Sequence, residues 1–251
     1  MPQSALLVAS DLVALLRADG RDVRVLDGVS LALAPGDVAD ITGPSGSGKT
    51  TLLRALARLL PEVIGSLSLD SVPAASITPT AWRTAVALLP QKPAIFSGTV
   101  AENLMIPWTL KARHGQQPPT DTALRAALGS VALDDVGLDR DAARLSVGQQ
   151  ARVALLRVLL TKPRVLLLDE PDAALDSASS DAVGSLFSDF AAAGGAIVRV
   201  RHHRSDGLAT ERYILQGGTL STIPADVPEP QFDHGSHGLH GAPALTEEVP
   251  S

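Results

Sequence analysis

The 251-residue chain contains no cysteine and very few aromatic side chains. The lack of cysteine excludes a disulfide framework and a cysteine-ligated zinc site, and it is compatible with a reducing cytosol. Aromatic residues make up 3% of the chain, and the first one along the sequence is Trp82. A ligand held by the N-terminal part would therefore find no aromatic ring there.

Long hydrophobic runs are also missing. The longest aliphatic run, residues 165–168, has the length of a buried strand, far below the roughly 20 apolar residues that cross a bilayer. The first ten residues lack the basic segment and long apolar core of a signal peptide. A formal net charge of -6 argues against a nucleic-acid binder that acts through its overall charge. With 45% hydrophobic and 19% charged residues, most of the chain is expected to be globular.

Turn signals divide the hydrophobic segments into strands and helices. Residues 6–16 and 23–33 are rich in Val and Leu and end at glycine or proline–glycine turns, which predicts an N-terminal, mainly antiparallel sheet. Further on, short apolar strands alternate with segments of helical spacing, which predicts an α/β fold. The strands are expected at 38–42, 85–89, 164–169, 196–201 and 213–215, and the helices at 51–60, 148–160 and 180–193.

Two regions differ in texture from this pattern. Between Gln91 and about Arg144, prolines, polar residues and short helical patterns predict an inserted, mostly helical subdomain. After about residue 223 the chain is rich in Pro, Gly, His and acid, and we expect a disordered tail over 223–251. The expected organisation is one domain over 1–222, with a core of 1–90 and 149–222 and a helical subdomain over about 91–148.

A glycine-rich segment follows the strand predicted at 38–42 and opens the helix predicted after it. Its sequence, Gly-Pro-Ser-Gly-Ser-Gly-Lys-Thr over 43–50, matches the phosphate-binding loop in pattern and in context. The glycines let the backbone turn its N–H groups towards a phosphate chain. Lys49 is expected to reach the β- and γ-phosphates and the Thr50 hydroxyl to bind Mg²⁺. The candidate nucleotide ligands are Gly43, Pro44, Ser45, Gly46, Ser47, Gly48, Lys49, Thr50 and Thr51.

Two acids, Asp169 and Glu170, follow the aliphatic run 165–168. A continuous hydrophobic run is typical of a fully buried parallel strand, and ligands of such sheets gather beyond the carboxyl ends of the strands. We therefore expect Asp169 to lie near Lys49 and hold Mg²⁺, and Glu170 to act as general base on the attacking water.

The segment Leu145-Ser146-Val147-Gly148-Gln149 precedes a strong helical pattern. Ser146 is a plausible N-cap, and the free N–H groups of that helix start would attract an anion. Alone, the segment indicates only the start of a helix. Its position between the other two motifs favours a functional role.

Taken in order, these motifs resemble those of ABC ATPases over roughly residues 6–222. The resemblance implies a P-loop NTPase (RecA-like) core with an N-terminal antiparallel β-subdomain and an inserted α-helical subdomain. It rests on the loop at Gly43, on Gln91, on Leu145–Gln149, on Asp169-Glu170, on Leu175-Asp176 and on His202.

The resemblance also assigns roles. Gln91 is similar to the glutamine that touches Mg²⁺ and water and links to the membrane partner. Ser146, Gly148 and Gln149 resemble signature residues that meet the γ-phosphate of a nucleotide held by the other subunit of a head-to-tail dimer. Asp176 resembles the acid of the loop at the dimer interface. His202 resembles the histidine that contacts the γ-phosphate and orients Glu170. It is preferred over His203 because it is in phase with Val198 and Val200 along a strand.

The chain departs from the family pattern at two places. Val147 replaces the first glycine of the signature, a position that tolerates a side chain pointing away from the phosphate. The aromatic that usually stacks on adenine is missing, and Leu15, Arg17 or Ala18 falls near its place. We therefore expect weaker discrimination of the base.

The segment 89–104, followed by Pro107-Trp108, resembles the one in small stand-alone ABC ATPases of the iron-efflux and aluminium-tolerance type. This implies an ATPase that powers a transporter, with metal (iron) export as the candidate activity and a separate transmembrane permease as partner. It places the protein in the cytoplasm, on the inner face of the membrane. The alternatives are a soluble ABC-type ATPase, a nucleotide switch or a P-loop kinase. Three tail histidines, His234, His237 and His240, could bind a metal, but the glycines between them oppose the helix that such spacing needs.

Overall fold

A computed structural model describes residues 4–18, 21–173, 175–201, 206–224 and 227. Two β-sheets and six α-helices occur in this part of the chain, as the predicted α/β class requires. His202 and the three tail histidines lie outside the described residues. No helix in the described ranges is long and apolar enough to cross a membrane.

The N-terminal sheet is antiparallel, as predicted. Its strands are β1 (Leu7–Ala18), β2 (Arg21–Leu33), β4 (Val63–Leu69) and β5 (Val72–Pro73), in the order β2-β1-β4-β5. The sequence predicted the first two strands, whereas β4 and β5 were not anticipated.

The central sheet carries the candidate site. It consists of β3 (Val38–Thr42), β6 (Val86–Leu89), β7 (Val165–Asp169), β8 (Ala196–Val200), β9 (Glu211–Gln216) and β10 (Thr219–Thr222). The order is β10-β9-β3-β8-β7-β6, and all neighbours are parallel except the terminal β9–β10 hairpin. Every residue of β3, β7 and β8 is buried. Burial on both faces explains why β7 is a continuous hydrophobic run up to Asp169, and why β3 and β8 are apolar apart from Asp40, Thr42 and Arg199.

The helices lie between the strands and begin at polar caps. They are α1 (Lys49–Leu56), α2 (Pro79–Ala85), α3 (Val100–Thr109), α4 (Asp121–Gly129), α5 (Val147–Leu159) and α6 (Ser177–Ala192). Thr78, Thr99, Thr120, Ser146 and Asp176 cap five of them by accepting a backbone N–H. The first helix ends four residues earlier than expected, and Arg58 beyond it has a left-handed φ of 54°. Helices α3 and α4 lie between β6 and α5 in the chain, within the range 91–148 for which a helical subdomain is predicted.

Two hydrophobic clusters cover the two faces of the central sheet. One joins the N-terminal sheet, α1 and the fully buried Trp82, whose indole N–H donates to the Leu56 carbonyl at 2.8 Å. The other contains residues of α3 to α6. Val198 belongs to the first cluster and Ile197 to the second. Since β8 is buried on both faces, burial by itself does not choose between His202 and His203, and the preference for His202 stays a prediction.

Candidate nucleotide-binding site

The glycine-rich loop joins β3 to α1 at the carboxyl edge of the central sheet. Its glycines have left-handed φ values of 148° at Gly43, 76° at Gly46 and 102° at Gly48. A Cβ at Gly43 would lie 2.2 Å from the Leu215 carbonyl oxygen, and one at Gly48 would lie 2.9 Å from Val25 Cγ1. A Cβ at Gly46 would meet nothing within 4 Å. Packing therefore demands two of the glycines, and the third keeps the backbone open towards the cleft.

A cleft of about 650 Å³ lies beside this loop. It brings residues that are more than a hundred positions apart in the sequence onto one surface. Its walls are formed by Leu16, Val25, Ser45, Gly46, Ser47, Gly48, Lys49, Thr50, Thr51, Gln91, Asp169 and Glu170. The predicted meeting of the loop with Gln91 and the two acids is thus what the structure shows. Gly43 and Pro44 form the base of the loop, outside this lining.

Two short hydrogen bonds organise the acid side of the cleft. Thr50 Oγ1 donates to Asp169 Oδ2 at 2.8 Å, and Gln91 Nε2 donates to Glu170 Oε2 at 2.7 Å. Burial raises the pKa of the Asp169 carboxyl; the bond from Thr50 opposes this rise and the charge of Glu170 adds to it. The ionised carboxylate of Asp169 is therefore costly in this position, a cost that a bound cation would relieve.

The ammonium group of Lys49 is held against its own loop. Lys49 Nζ donates to the carbonyl oxygens of Gly43 at 2.8 Å and Pro44 at 2.9 Å. Burial lowers the pKa of this ammonium, and the charges of Glu170 and Asp169 oppose that effect. Lys49 is thus held against the loop by two short hydrogen bonds and is only 7% exposed.

The polar groups of the loop fit a phosphate chain and a hard cation. Helix α1 starts after Gly48 without a side-chain cap, which leaves its first N–H groups for an anion. Ser47 Oγ is buried and has no hydrogen-bond partner among the described residues. The oxygens of Thr50 and Asp169 are the kind of ligand that Mg²⁺ prefers. The chemistry of these residues therefore suits a nucleoside triphosphate with Mg²⁺.

The signature residues and Asp176 are not among the residues that line the cleft of their own chain. Ser146 and Gln149 cap α5 reciprocally, each side chain accepting the backbone N–H of the other residue at 3.2 and 3.0 Å, so the predicted N-cap is present. Gly148 follows in the first turn. Asp176 caps α6 by accepting the Ser179 N–H at 2.8 Å, and this bond lowers the pKa of its carboxyl. Val147, between the capping residues, is 73% exposed.

The wall available to a base is aliphatic. Leu16 of β1 and Val25 of β2 line the cleft, in place of the expected Leu15 or Arg17, and the side chain of Ala18 lies outside the described part. None of the described lining residues is aromatic. The expected place came from the family resemblance and lay one residue to either side of Leu16, and Val25 on the neighbouring strand β2 was not anticipated.

A family comparison decides what kind of protein carries this cleft. A sequence profile described as "ABC transporter" matches residues 26–173, a range that holds the loop, Gln91, the signature segment and both acids. The chain belongs to the ABC transporter family. The resemblance that the motifs indicated is confirmed, and so is the fold class.

Several curated proteins are similar to this ABC protein, and two of the three described next are named as ATP-binding proteins. STAR1 of Oryza sativa subsp. japonica is 44% identical over 168 residues, which cover 65% of this chain and 46% of STAR1. The probable iron export ATP-binding protein FetA of Escherichia coli is 34% identical over 66% of this chain and 72% of its own length. The zinc import ATP-binding protein ZnuC of Cereibacter sphaeroides is 35% identical over 95% of this chain and 92% of its own. The aligned part thus spans less than half of STAR1 but nearly all of ZnuC.

Solved structures agree with the fold. A bacterial Atm1-family ABC exporter with ATP bound matches with a TM-score of 0.74 and 26% identity, over 88% of this ABC protein and 39% of the exporter. An ATP binding subunit of an ABC transporter matches with a TM-score of 0.73 over 87% of this chain and 90% of its own, at 22% identity, which supports the fold alone.

Proposed function

We propose that this chain is an ATP-binding and ATP-hydrolysing subunit that powers an ABC transporter. The observation that carries the proposal is the single cleft that collects Lys49, Thr50, Gln91, Asp169 and Glu170 around an uncapped helix start. A phosphate cradle alone would suit a kinase or a switch. The signature segment within the family match favours the ATPase of this family.

The phosphate chain of ATP would be bound by the loop. Its N–H groups and those of α1 donate to the β- and γ-phosphates, and Lys49 exchanges its loop carbonyls for phosphate oxygens. Thr50, Asp169 and Gln91 would hold Mg²⁺. A Mg²⁺ ion bound there would supply positive charge that offsets the charge of the phosphates.

Glu170 is the group that would activate water. Its carboxylate already accepts the Gln91 amide hydrogen at 2.7 Å, which fixes its direction at the edge of the cleft. A carboxylate so placed can accept a proton from the attacking water as general base. His202, two residues beyond β8, is proposed to contact the γ-phosphate and to orient Glu170.

A complete site requires a second copy of the chain. Ser146, Gly148, Gln149 and Asp176 do not line the cleft of their own chain, although the family resemblance assigns them to the nucleotide. The exposed Val147 shows that this helix start faces outwards. In a head-to-tail dimer each copy would offer the start of α5 to the γ-phosphate that the other copy holds, and ATP would close the pair.

The proposed membrane partner would dock on an apolar groove of about 450 Å³ next to the cleft. Pro90 and Phe96 line this groove, and Gln91 between them lines the nucleotide cleft. A movement of Gln91 when the cleft closes around ATP would therefore also move Pro90 and Phe96 in the groove. Phe96 and Leu110 are 49% and 55% exposed, which is unusual for large apolar side chains and suits a helix from a transmembrane permease.

The location of the subunit and the transported substrate are also inferred from the family resemblance and the relatives. The subunit is proposed to lie on the cytoplasmic face of the membrane, with residues 1–222 as the ATPase domain and 91–148 as its helical subdomain. The names of the relatives FetA and ZnuC refer to metals, to iron export in one and to zinc import in the other. We propose a metal cargo, with iron export favoured by the segment 89–104.

Glu170→Gln tests the catalytic assignment. Loss of the base should lower phosphate release by about 100-fold or more while ATP is still bound, so the variant should accumulate an ATP-bound dimer. Phosphate release and sedimentation velocity with Mg-ATP measure both effects, and Lys49→Ala, which should fail to bind ATP, is the control. Full turnover in Glu170→Gln would refute the role of Glu170.

A further inference from the structure

An ionic cluster lies beside the segment that carries Glu170. At its centre, Arg199 of β8 donates to both carboxylate oxygens of Asp40 of β3, from Nε at 2.7 Å and from Nη2 at 2.9 Å. These side chains are 1% and 3% exposed. Arg199 Nη1 also donates to Asp206 Oδ2 at 2.8 Å. The pair is therefore fully desolvated and held by a bidentate contact, the strong form of an ion pair.

Arg201 extends the cluster towards the nucleotide site. Its Nε and Nη2 donate to Asp172 Oδ2 at 3.1 and 2.7 Å. Its Nη1 lies 2.8 Å from Asp206 Oδ2, an ion pair without hydrogen-bond geometry, and 3.8 Å from Asp40 Oδ2. The side chains of Arg201 and Asp172 are 8% and 15% exposed. Arg201 thus connects the end of β8 with a carboxylate two residues beyond Glu170.

The backbone of Glu170 needs such support. Glu170 has a left-handed φ of 52°, a conformation that is unfavourable for a residue with a Cβ and persists only where the surroundings fix it. Before the turn, the Glu170 N–H donates to the Val200 carbonyl at 3.1 Å. After it, Arg201 holds the Asp172 side chain, and the Asp172 carbonyl accepts the Leu175 N–H at 3.2 Å. Two adjacent residues at the end of β8 therefore hold this turn. Val200 binds its first residue, Glu170, and Arg201 binds Asp172 further along it.

We propose that Arg201 is a positioning residue, which acts through Asp172 to hold Glu170 in the direction that water activation requires. Asp40, Arg199 and Asp206 hold Arg201 in turn. The proposal rests on the proposed ATPase function. A buried ion pair is weak evidence for stability, since apolar replacements of similar volume are often neutral or stabilising. The ion pair of Arg201 with Asp172 lies next to the turn of Glu170, and this position, rather than any contribution to stability, indicates a role in orienting Glu170.

The first test separates turnover from nucleotide binding. Asp172→Asn keeps the shape of the side chain and removes its charge, and Arg201→Lys keeps the charge and removes the planar fork. Each should lower kcat for ATP hydrolysis by about tenfold to a hundredfold, because a small displacement of a catalytic group has effects of that size. KM and the affinity for a fluorescent ATP analogue should stay within about twofold, because the phosphate loop is untouched. Asp172→Glu should recover part of the rate.

Control variants distinguish a positioning role of Arg201 from a general loss of structure. Arg164→Gln breaks the half-exposed pair of Arg164 with Asp70, 2.8 Å long, and should leave kcat unchanged. Asp172→Asn combined with Arg201→Lys should be no slower than the slower single variant, because both break the same contact. An unchanged kcat in Asp172→Asn overturns the proposal. So does a loss of rate that is matched by a loss of nucleotide affinity and melting temperature.

A second readout is independent of turnover. Hydrogen exchange of the Glu170 and Ala173 amides should be faster in Asp172→Asn than in the wild type and in Arg164→Gln. Unchanged exchange overturns the proposal even if the rate falls. If the wild type and Glu170→Gln prove equally inactive, the ATPase function fails. Faster exchange in Asp172→Asn would then still support the hold of Arg201 on the turn.

Discussion

Neighbouring acids at the end of β7 differ in their surroundings. Asp169 is 5% exposed and accepts the Thr50 hydroxyl hydrogen, whereas Glu170 turns out of the strand with a left-handed φ and accepts from Gln91. The sequence predicted both acids at the loop, since strand ends meet at one edge of a parallel sheet. It did not predict the turn at Glu170 or its contact with the end of β8.

The buried carboxyl of Asp169 should make the nucleotide-free protein less stable at neutral pH. Because burial raises its pKa above the value in the unfolded chain, its contribution favours folding at low pH and is lost as the pH rises through the folded-state pKa. Asp169→Asn keeps an acceptor for Thr50 without the charge. Calorimetry in EDTA should therefore show a higher melting temperature for Asp169→Asn at pH 7, and the gain should shrink as the pH falls below the usual carboxyl range.

An exposed change, Glu62→Gln, is the matched control and should leave the melting temperature unchanged. A lower melting temperature for Asp169→Asn than for the wild type at pH 7 would show that the carboxylate is stabilised by its neighbours. That result would contradict the cost assigned to its burial.

The aliphatic wall predicts weak selection of the base. Leu16 and Val25 offer no aromatic ring, so ATP and GTP should bind with affinities within about tenfold of each other, the phosphates supplying most of the free energy. Leu16→Tyr should tighten ATP binding by at least about fivefold, since base–aromatic stacking adds about 1 kcal/mol or more. Titration calorimetry measures both. Strong preference of the wild type for ATP, or no gain in Leu16→Tyr, would contradict this account.

At the scale of elements, most of the fold follows from local patterns. Strand β7 is a continuous aliphatic run up to Asp169 because it is buried on both faces, and the equally buried β3 and β8 are apolar except for a few polar residues. Helix α5 was predicted from its spacing and from Ser146. Helix α2 is only seven residues long, and its signal, the cap Thr78 followed by Pro79 at the first helical position, is easily missed. Strand β4 contains Gly65, whose φ of 110° interrupts the expected pattern.

Contacts between distant residues could not be predicted from one sequence. Asp40 and Arg199 are 159 positions apart and meet because β3 and β8 are neighbours in the sheet. In the sequence, the acid in β3 and the arginine in β8 are charged residues inside otherwise apolar strands, and nothing near either of them identifies its partner. Their pairing depends on the strand order, which a local pattern does not contain.

Asn103 of α3 ties the segment after Gln91 to the helical insertion. This fully buried side chain accepts the Phe96 N–H and donates to the Phe96 carbonyl, both at 2.9 Å. Asn103→Leu leaves both groups without these bonds, so we expect a loss of about 2 kcal/mol in the free energy of unfolding. Urea unfolding measures this loss. Ser130→Ala, which removes an exposed hydroxyl bond to Ala127, should cost less than about 0.5 kcal/mol, and equal costs would contradict the role of Asn103.

At the scale of the whole molecule, two copies of the chain are proposed to share each nucleotide site. The cleft holds the phosphate loop and the acids, while the start of α5 lies elsewhere on the same chain with Val147 exposed. The ABC transporter family match includes both parts. In the proposed head-to-tail dimer, the start of α5 of one copy would complete the site that the loop of the other copy begins.

Mixing two inactive variants tests this claim most directly. Lys49→Ala disables the loop and keeps the start of α5, whereas Ser146→Arg blocks the start of α5 and keeps the loop. Each alone should release little phosphate from ATP. An equal mixture should recover up to about a quarter of the wild-type rate, because half of the dimers are mixed and each contains one complete site. A mixture no more active than its components, with ATP-dependent mixed dimers present, would contradict the shared site.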